Sequence, residues 1–242
     1  MEQVPFERVL GPKIGQAMKE WHEVKSNGKI TWHMESIVTE IATNEDNTVR
    51  QVTLKNGTKI DCDLCVVGAG VVPATEFIKK DGPIKFERDQ AVMVDRMMHA
   101  GNDLFAGGDI ARYQFHLTND SVRIEHYGMA QYHGRIAALN MIGKETECLN
   151  IPFFWTTQYS KSLRYCGHAL HYDDIVVDGS LDPKDFKFVA YFCQGDKVIA
   201  AASMDRDPIV SIVAELLQNN QMISKQSLTE QLKTGDVNFS KL

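Results

Sequence analysis

Asp103-Leu104-Phe105-Ala106-Gly107-Gly108-Asp109 is a short apolar run that ends in two glycines and an acid. The apolar part reads as a strand over residues 103–106. Glycines beyond it lack Cβ atoms and let a ligand approach the backbone, and the Asp109 carboxylate can accept hydrogen bonds from sugar-like hydroxyls. Taken alone, a strand ending in Gly-Asp is more often just a turn. The order of what surrounds it changes that weighting. Residues 91–95 read as a strand before it. After it, Glu125-His126-Tyr127-Gly128-Met129-Ala130 opens a helix predicted over residues 127–141 and ended by Gly143, and Pro152-Phe153-Phe154-Trp155 opens the next segment. Strand, glycine, acid, loop, helix is the pattern of an open α/β nucleotide-binding sheet.

Working outward, residues 10–24 carry apolar side chains at helical spacing, and this amphipathic helix is expected to lie on something larger, with further sequence expected upstream. Alternating apolar and polar residues predict strands at 29–34, 37–42 and 49–54, with Asn56-Gly57 turning the chain toward Lys59 and Ile60 in a small β-meander. Residues 64–67 then enter Gly68-Ala69-Gly70, and a short helical stretch is expected at 75–80, so a boundary falls near residues 68–75. After Pro152 the pattern becomes an antiparallel sheet, with strands at 163–169, 175–178, 186–193 and 198–203 and a turn at Gln194-Gly195-Asp196. Asp207 is placed to cap a helix with Pro208 at its first position and Ile209, Ile212, Val213, Leu216 and Leu217 on one face. A weaker helix follows at 224–232.

With 242 residues, two or three lobes are the natural division. Lys and Arg number 26 against 32 Asp and Glu, a net charge of −6, which argues against a nucleic-acid partner because a polyphosphate backbone needs a basic footprint. No apolar run approaches the roughly 18 to 20 residues that cross a bilayer, and no targeting segment is visible. Five cysteines, an odd number set in apolar or β-like runs, suit a reducing compartment without structural disulfides. Cys62 and Cys65 have redox-pair spacing, but their odd separation in an extended segment puts the thiols on opposite faces, so they read as packing residues. Cys166-Gly167-His168 imitates half of a Rieske ligand set without the other half, and the remaining histidines are too scattered for a metal site. The Asp61/Asp63 and Asp173/Asp174 pairs read as solvated strand ends. Trp21 and Trp32 read as packing aromatics.

Cys65-Val66-Val67-Gly68-Ala69-Gly70-Val71-Val72-Pro73-Ala74-Thr75, together with the three elements above, resembles the pyridine-nucleotide-disulfide oxidoreductase superfamily through most of the chain. Within it, the likeness is to the apoptosis-inducing-factor-like flavoproteins and ferredoxin reductases. Residues 5–11, 161–165 and 204–217 are similar to a member that carries a Rieske domain upstream. The resemblance implies an α/β chain: part of a two-dinucleotide-domain fold binding FAD and NAD(P)H, followed by a C-terminal α+β domain with an antiparallel sheet. It divides the chain into the C-terminal part of an NAD(P)-binding domain at 1–67, the C-terminal part of an FAD-binding domain at 68–150, and the reductase C-terminal domain at 151–242.

By the same resemblance, Asp109 holds the flavin ribityl chain and Gly108 permits the approach. The start of the Tyr127 helix faces the flavin pyrimidine, where a positive helix end stabilises reduced, anionic flavin. Trp155 packs by the isoalloxazine edge with Phe154 behind it, Gly70 and Pro73 belong to the crossover next to the nicotinamide, and Glu125 and His126 lie where flavin and nicotinamide meet. No side chain need act as acid or base, since hydride transfer is cofactor chemistry, and the scattered histidines leave no metal expected. The chain departs from the family at His99, where threonine is usual, at Gly107, where alanine is usual, and at Tyr127, where tryptophan or histidine is commoner. It also has no GxGxxG following a strand, although the family uses one such loop for each pyrophosphate. The implied activity is hydride transfer from NADH or NADPH to FAD and single electrons onward to a Rieske centre. The implied partners are the nicotinamide dinucleotide, the upstream half of the protein and its Rieske domain, and the implied residence is mitochondrial or cytoplasmic. The competing reading is a truncated, catalytically silent protein-binding module.

Overall fold

The computed structural model describes residues 2–235, 237 and 239, so Met1 and the last residues of the 151–242 segment lie outside the described residues. The chain divides into two compact units. One holds the residues up to Val71 with Leu181–Phe186; the other holds Val72–Ser180 and the chain from Lys187 onward.

The first unit begins with α1 (Glu7–Lys25), whose buried stripe is Leu10, Ile14, Ala17, Met18 and Trp21. Gly11 interrupts the helix with φ 79° and ψ 165°, immediately before Pro12. Proline lacks the N–H that a continuous helix would use there, so the break falls where the chain loses least. A Cβ on Gly15 would meet the Pro5 carbonyl oxygen at 2.5 Å, so glycine lets the leading segment lie against the helix. Trp21 stacks on Phe186 with centroids 5.2 Å apart. The meander follows as β1 (Val38–Thr43), β2 (Val49–Leu54) and β3 (Lys59–Asp61), antiparallel in that order. Gly57 has φ 86° and Asn56 accepts the Thr58 N–H, as the turn chemistry requires. The strand expected at 29–34 does not form, because no neighbouring strand takes up its peptide groups and alternation alone cannot make a ladder. Residues 64–67 also carry no strand, and Leu64 and Val66 are 78% and 86% exposed.

In the second unit, β4 (Val92–Met93) pairs in parallel with β7 (Ala111–Gln114), which pairs antiparallel with β8 (Ser121–Val122). Between them β5 (His99–Gly101) and β6 (Leu104–Phe105) form a hairpin that delivers the chain to a 3-10 turn, Gly108–Ile110. The expected strands at 91–95 and 103–106 are thus present but short. The helix expected at 75–80 is replaced by turns: Ile78 and Gly82 donate only to the carbonyls three residues back, Thr75 and Lys79, and the Thr75 hydroxyl is drawn off to Gln90 O at 2.9 Å. Then comes α2 (Tyr127–Met141), whose Met129, His133, Ile136 and Ala137 are buried. Met129, Ile136 and Ala137 pack with Met98, Tyr113, Phe115 and Val122.

The rest of the unit is a five-stranded antiparallel sheet in the order β11-β12-β13-β10-β9, from β9 (Phe153–Gln158), β10 (Lys161–Gly167), β11 (Asp174–Ser180), β12 (Lys187–Gln194) and β13 (Lys197–Met204). The inner strands β12 and β13 are buried on both faces, so they read as unbroken apolar runs. Val210, Val213 and Leu217 of α3 (Ile209–Gln218), and Leu228 of α4 (Lys225–Thr234), pack against Cys166, Val189, Tyr191 and Ala201. Ser224 caps α4 by accepting the Ser227 N–H. Asp207 does not cap α3: Pro208 occupies that position and the Asp207 carboxylate is taken by Arg164, 2.8 Å from Nη2.

Candidate functional site

Seven of the nine expected site residues gather around the start of α2. Gly108 adopts φ 76°, which glycine reaches without strain, and this turns the chain so that Asp109 is exposed at the mouth of the turn. The turn lies close on the helix: a Cβ on Gly108 would sit 3.5 Å from Ala130 Cβ, and one on Gly107 would sit 3.1 Å from His133 Cβ.

His126 caps α2 with its ring, Nδ1 accepting the Gly128 N–H at 3.2 Å. The first turn of α2 holds no acidic residue, so the helix keeps its positive end. Glu125, just before the cap, is ion-paired with Arg123. Arg123 itself sits on Asp89, Nε to Oδ2 at 3.2 Å, and donates from Nη1 to the Asp109 carbonyl at 3.2 Å. Arg112 shares the Asp89 carboxylate at 2.7 Å. Partial burial works to raise the Asp89 pKa, but the hydrogen bonds from Arg112, the Ala91 N–H and Arg123 outweigh it and hold the carboxyl below its usual range.

Four aromatic rings complete the arrangement. His126 meets Phe154 edge to face with centroids 4.7 Å apart, lies against Tyr127 at 4.5 Å, and approaches Trp155 at 6.4 Å. Tyr127 and Trp155 are 60% and 58% exposed. Two large aromatics left open beside a helix N-terminus and a free carboxylate form a surface for a flat ligand bearing hydroxyls and a developing negative charge.

Gly108, Asp109, Glu125, His126, Tyr127, Phe154 and Trp155 are therefore linked through α2, Arg123 and β9. Gly70 belongs to the first unit, exposed with φ 78° and no atom within 4 Å of a Cβ position. Pro73 is buried in the second unit, just before Thr75, and no described contact joins it to the others. Among the described residues no group of three or more His, Cys, Asp or Glu is placed to hold a metal. Cys62 and Cys65 are free and half-buried. Burial pushes the thiols of Cys148 and Cys166 up to about 12 and that of Cys193 to about 11, which makes them inert packing residues.

Two site residues were missed from the sequence, Arg123 and His133. His133 is fully buried and accepts the Gly108 N–H at Nδ1, 3.3 Å away. Its signal was present in the spacing, because positions 126, 130 and 133 share one helix face. Arg123 has one near partner, Glu125, but the partners that tie it to the turn, at 89 and 109, are distant in sequence.

The sequence pattern of the pyridine nucleotide-disulphide oxidoreductases matches residues 2–134, more than half of the chain, and that of the Reductase C-terminal domain matches residues 153–234. Human apoptosis-inducing factor 3 is 37% identical over 99% of this chain and 39% of its own length. Putidaredoxin reductase of Pseudomonas putida is 29% identical over 96% of this chain and 52% of its own. Among solved structures, a ferredoxin reductase from Rhodopseudomonas palustris superposes with a TM-score of 0.80 at 25% identity, covering 96% of this chain and 56% of that one. The chain spans about two fifths to just over half of the length of these three proteins. No helix among the described residues is long and apolar enough to cross a membrane. The likeness read from the Gly107-Gly108-Asp109 stretch, the Glu125-His126 helix start and the segment after Pro152 is borne out: this chain belongs to the pyridine nucleotide-disulphide oxidoreductase family.

Proposed function

We propose that the chain supplies one wall of a flavin site in an oxidoreductase that takes hydride from NADH or NADPH and passes electrons singly to an iron–sulfur acceptor of the Rieske type. The observation that carries this reading is the joining of the Gly108–Asp109 turn, the acid-free N-terminus of α2 and the exposed Tyr127 and Trp155 rings on one surface. FAD, when bound, supplies the hydride-accepting and electron-releasing chemistry.

The residues here bind and orient. Asp109 accepts from ribityl hydroxyls, with its backbone held by Arg123. The positive end of α2 favours negative charge on the pyrimidine side. Trp155, supported by Phe154, covers the ring edge, and Glu125 and His126 border the place where nicotinamide meets flavin. Gly70 and Pro73 are proposed for the nicotinamide crossover. The donor set fits the ring and ribityl end of FAD and not its pyrophosphate, for which the sequence has no GxGxxG loop after a strand. The division at 1–67, 68–150 and 151–242 and residence in mitochondria or cytoplasm belong to the same proposal.

The second reading, a catalytically silent binding module, is favoured by the missing phosphate loops and by the exposure of Leu64, Val66, Val67 and Val71. Mixing the chain with FAD and NADH without oxygen separates the two. Flavin bleaching faster than in the protein-free mixture supports the oxidoreductase. Bleaching at the protein-free rate, with FAD still bound, supports the silent module for this chain.

A further inference from the structure

His133 is a buried, titratable side chain that the flavin reading does not use. It has no solvent exposure, and its ring packs edge to face on Tyr113 with centroids 4.9 Å apart at 80°. Nδ1 lies 3.3 Å from the Gly108 N–H. Nε2 is buried and has no hydrogen-bond partner. An N–H can donate only to a lone pair, so Nδ1 must be unprotonated and the ring proton of the neutral imidazole must sit on Nε2. That leaves a buried donor unpaired, a costly arrangement for a residue whose only task is to fill space, which an apolar side chain would do without the penalty.

The Cβ and backbone of His133 also lie close against the turn. A Cβ on Gly107 would come within 3.1 Å of His133 Cβ and 3.4 Å of its carbonyl carbon, so the glycine pair and the histidine fit each other closely. Gly108 stands at φ 76°, where a single anchored N–H selects among the several conformations open to glycine.

We infer that His133 is a positioning residue for the turn at 107–109: its neutral ring, protonated at Nε2, accepts the Gly108 N–H at Nδ1 and fixes the backbone conformation from which Asp109 is presented. That Asp109 then meets a flavin rests on the function proposed above; the hydrogen bond does not.

The first test is the ring tautomer, read from long-range proton–nitrogen correlations of the intact, isotope-labelled chain without flavin. The expected signature is a protonated Nε2 with Nδ1 in the acceptor range. A proton on Nδ1 overturns the inference whatever FAD does.

The second test compares Gly108 amide exchange in the chain, in His133→Leu and in His133→Gln, whose side-chain oxygen can take over the acceptor role. Loss of one net hydrogen bond speeds exchange by about tenfold in His133→Leu, and His133→Gln restores protection. Equal exchange in all three overturns the inference, as does a glutamine variant no better than leucine at matched melting temperature. FAD affinity is then measured on the same variants. A weakening in His133→Leu that His133→Gln rescues extends the role to the flavin. Absence of FAD binding in every form counts against the flavin reading alone.

Discussion

Four histidines of the second unit show two different uses of the ring. His126 spends its Nδ1 lone pair on a helix cap at a half-exposed position, whereas His116, His133 and His168 are held below the ordinary value of 6.5, each chiefly by burial. The sign of the consequence follows from linkage. An unfolded chain takes these protons near the ordinary value and the folded chain takes them only at lower pH. The unfolded state therefore binds more protons in between, and stability that is fully present above 6.5 is lost as the pH falls below it. Asp89 acts in a different window, since its folded value lies below 3.8 and its contribution disappears only under strongly acidic conditions. Denaturant midpoints at about pH 7.5 and about pH 5.5 check this, because histidines of the unfolded chain titrate between those values and ordinary carboxylates do not. The midpoint of the second unit is expected to fall at the lower pH; an unchanged or higher midpoint contradicts buried neutral histidines.

At the scale of elements, α2 is where sequence and structure agree best. Its bounds, Tyr127–Met141, and its end near Gly143 (φ 76°) were legible because helix composition and a terminating glycine are local signals. The inner strands β12 and β13 were legible to within a residue or so because six consecutive residues in β12 and seven in β13 are buried on both faces. What failed was decided by partners that lie far away in sequence. Residues 29–34 had strand alternation and no strand to pair with. Asp207 had a cap's identity and spent its carboxylate on Arg164. β9, read only as an aromatic opening, exists because β10 pairs with it from Lys161↔Gln158 to Cys166↔Phe153.

Asn140, near the end of α2, was invisible for the same reason. Its Nδ2 reaches Met97 O at 3.1 Å and Thr146 O at 2.8 Å, and its Oδ1 accepts the Thr146 N–H at 2.9 Å, so one side chain ties the helix to two loops. Asn140→Ala leaves these groups unpaired and is expected to cost about 2 kcal/mol of unfolding free energy in a denaturant titration, while a loss under about 0.5 kcal/mol would mean the contacts are marginal.

For the molecule as a whole, the fold class was legible because three separated elements, the Gly-Asp turn, the α2 start and the segment opening at Phe153, occur in the order one family uses. The site was legible only in part. The residues proposed to face a ligand carry recognisable types, a carboxylate and exposed aromatics, whereas Arg123 and His133, which hydrogen-bond the turn at 108–109, are ordinary residues until the chain is folded. The second unit presents Asp109, Tyr127 and Trp155 on an open surface, and its apolar interior is closed elsewhere by α3 and α4. Flavin contact within this unit should therefore be confined to one end of α2. The decisive measurement is a titration of FAD into the isotope-labelled chain, followed through the amide signals and the Trp155 indole. The expected result is saturable movement of Gly108, Asp109, Tyr127, Gly128 and Trp155, with the signals of α3 and α4 unmoved. Signals that stay fixed at the α2 end of a folded chain, or that move only elsewhere, would contradict a flavin wall on this surface.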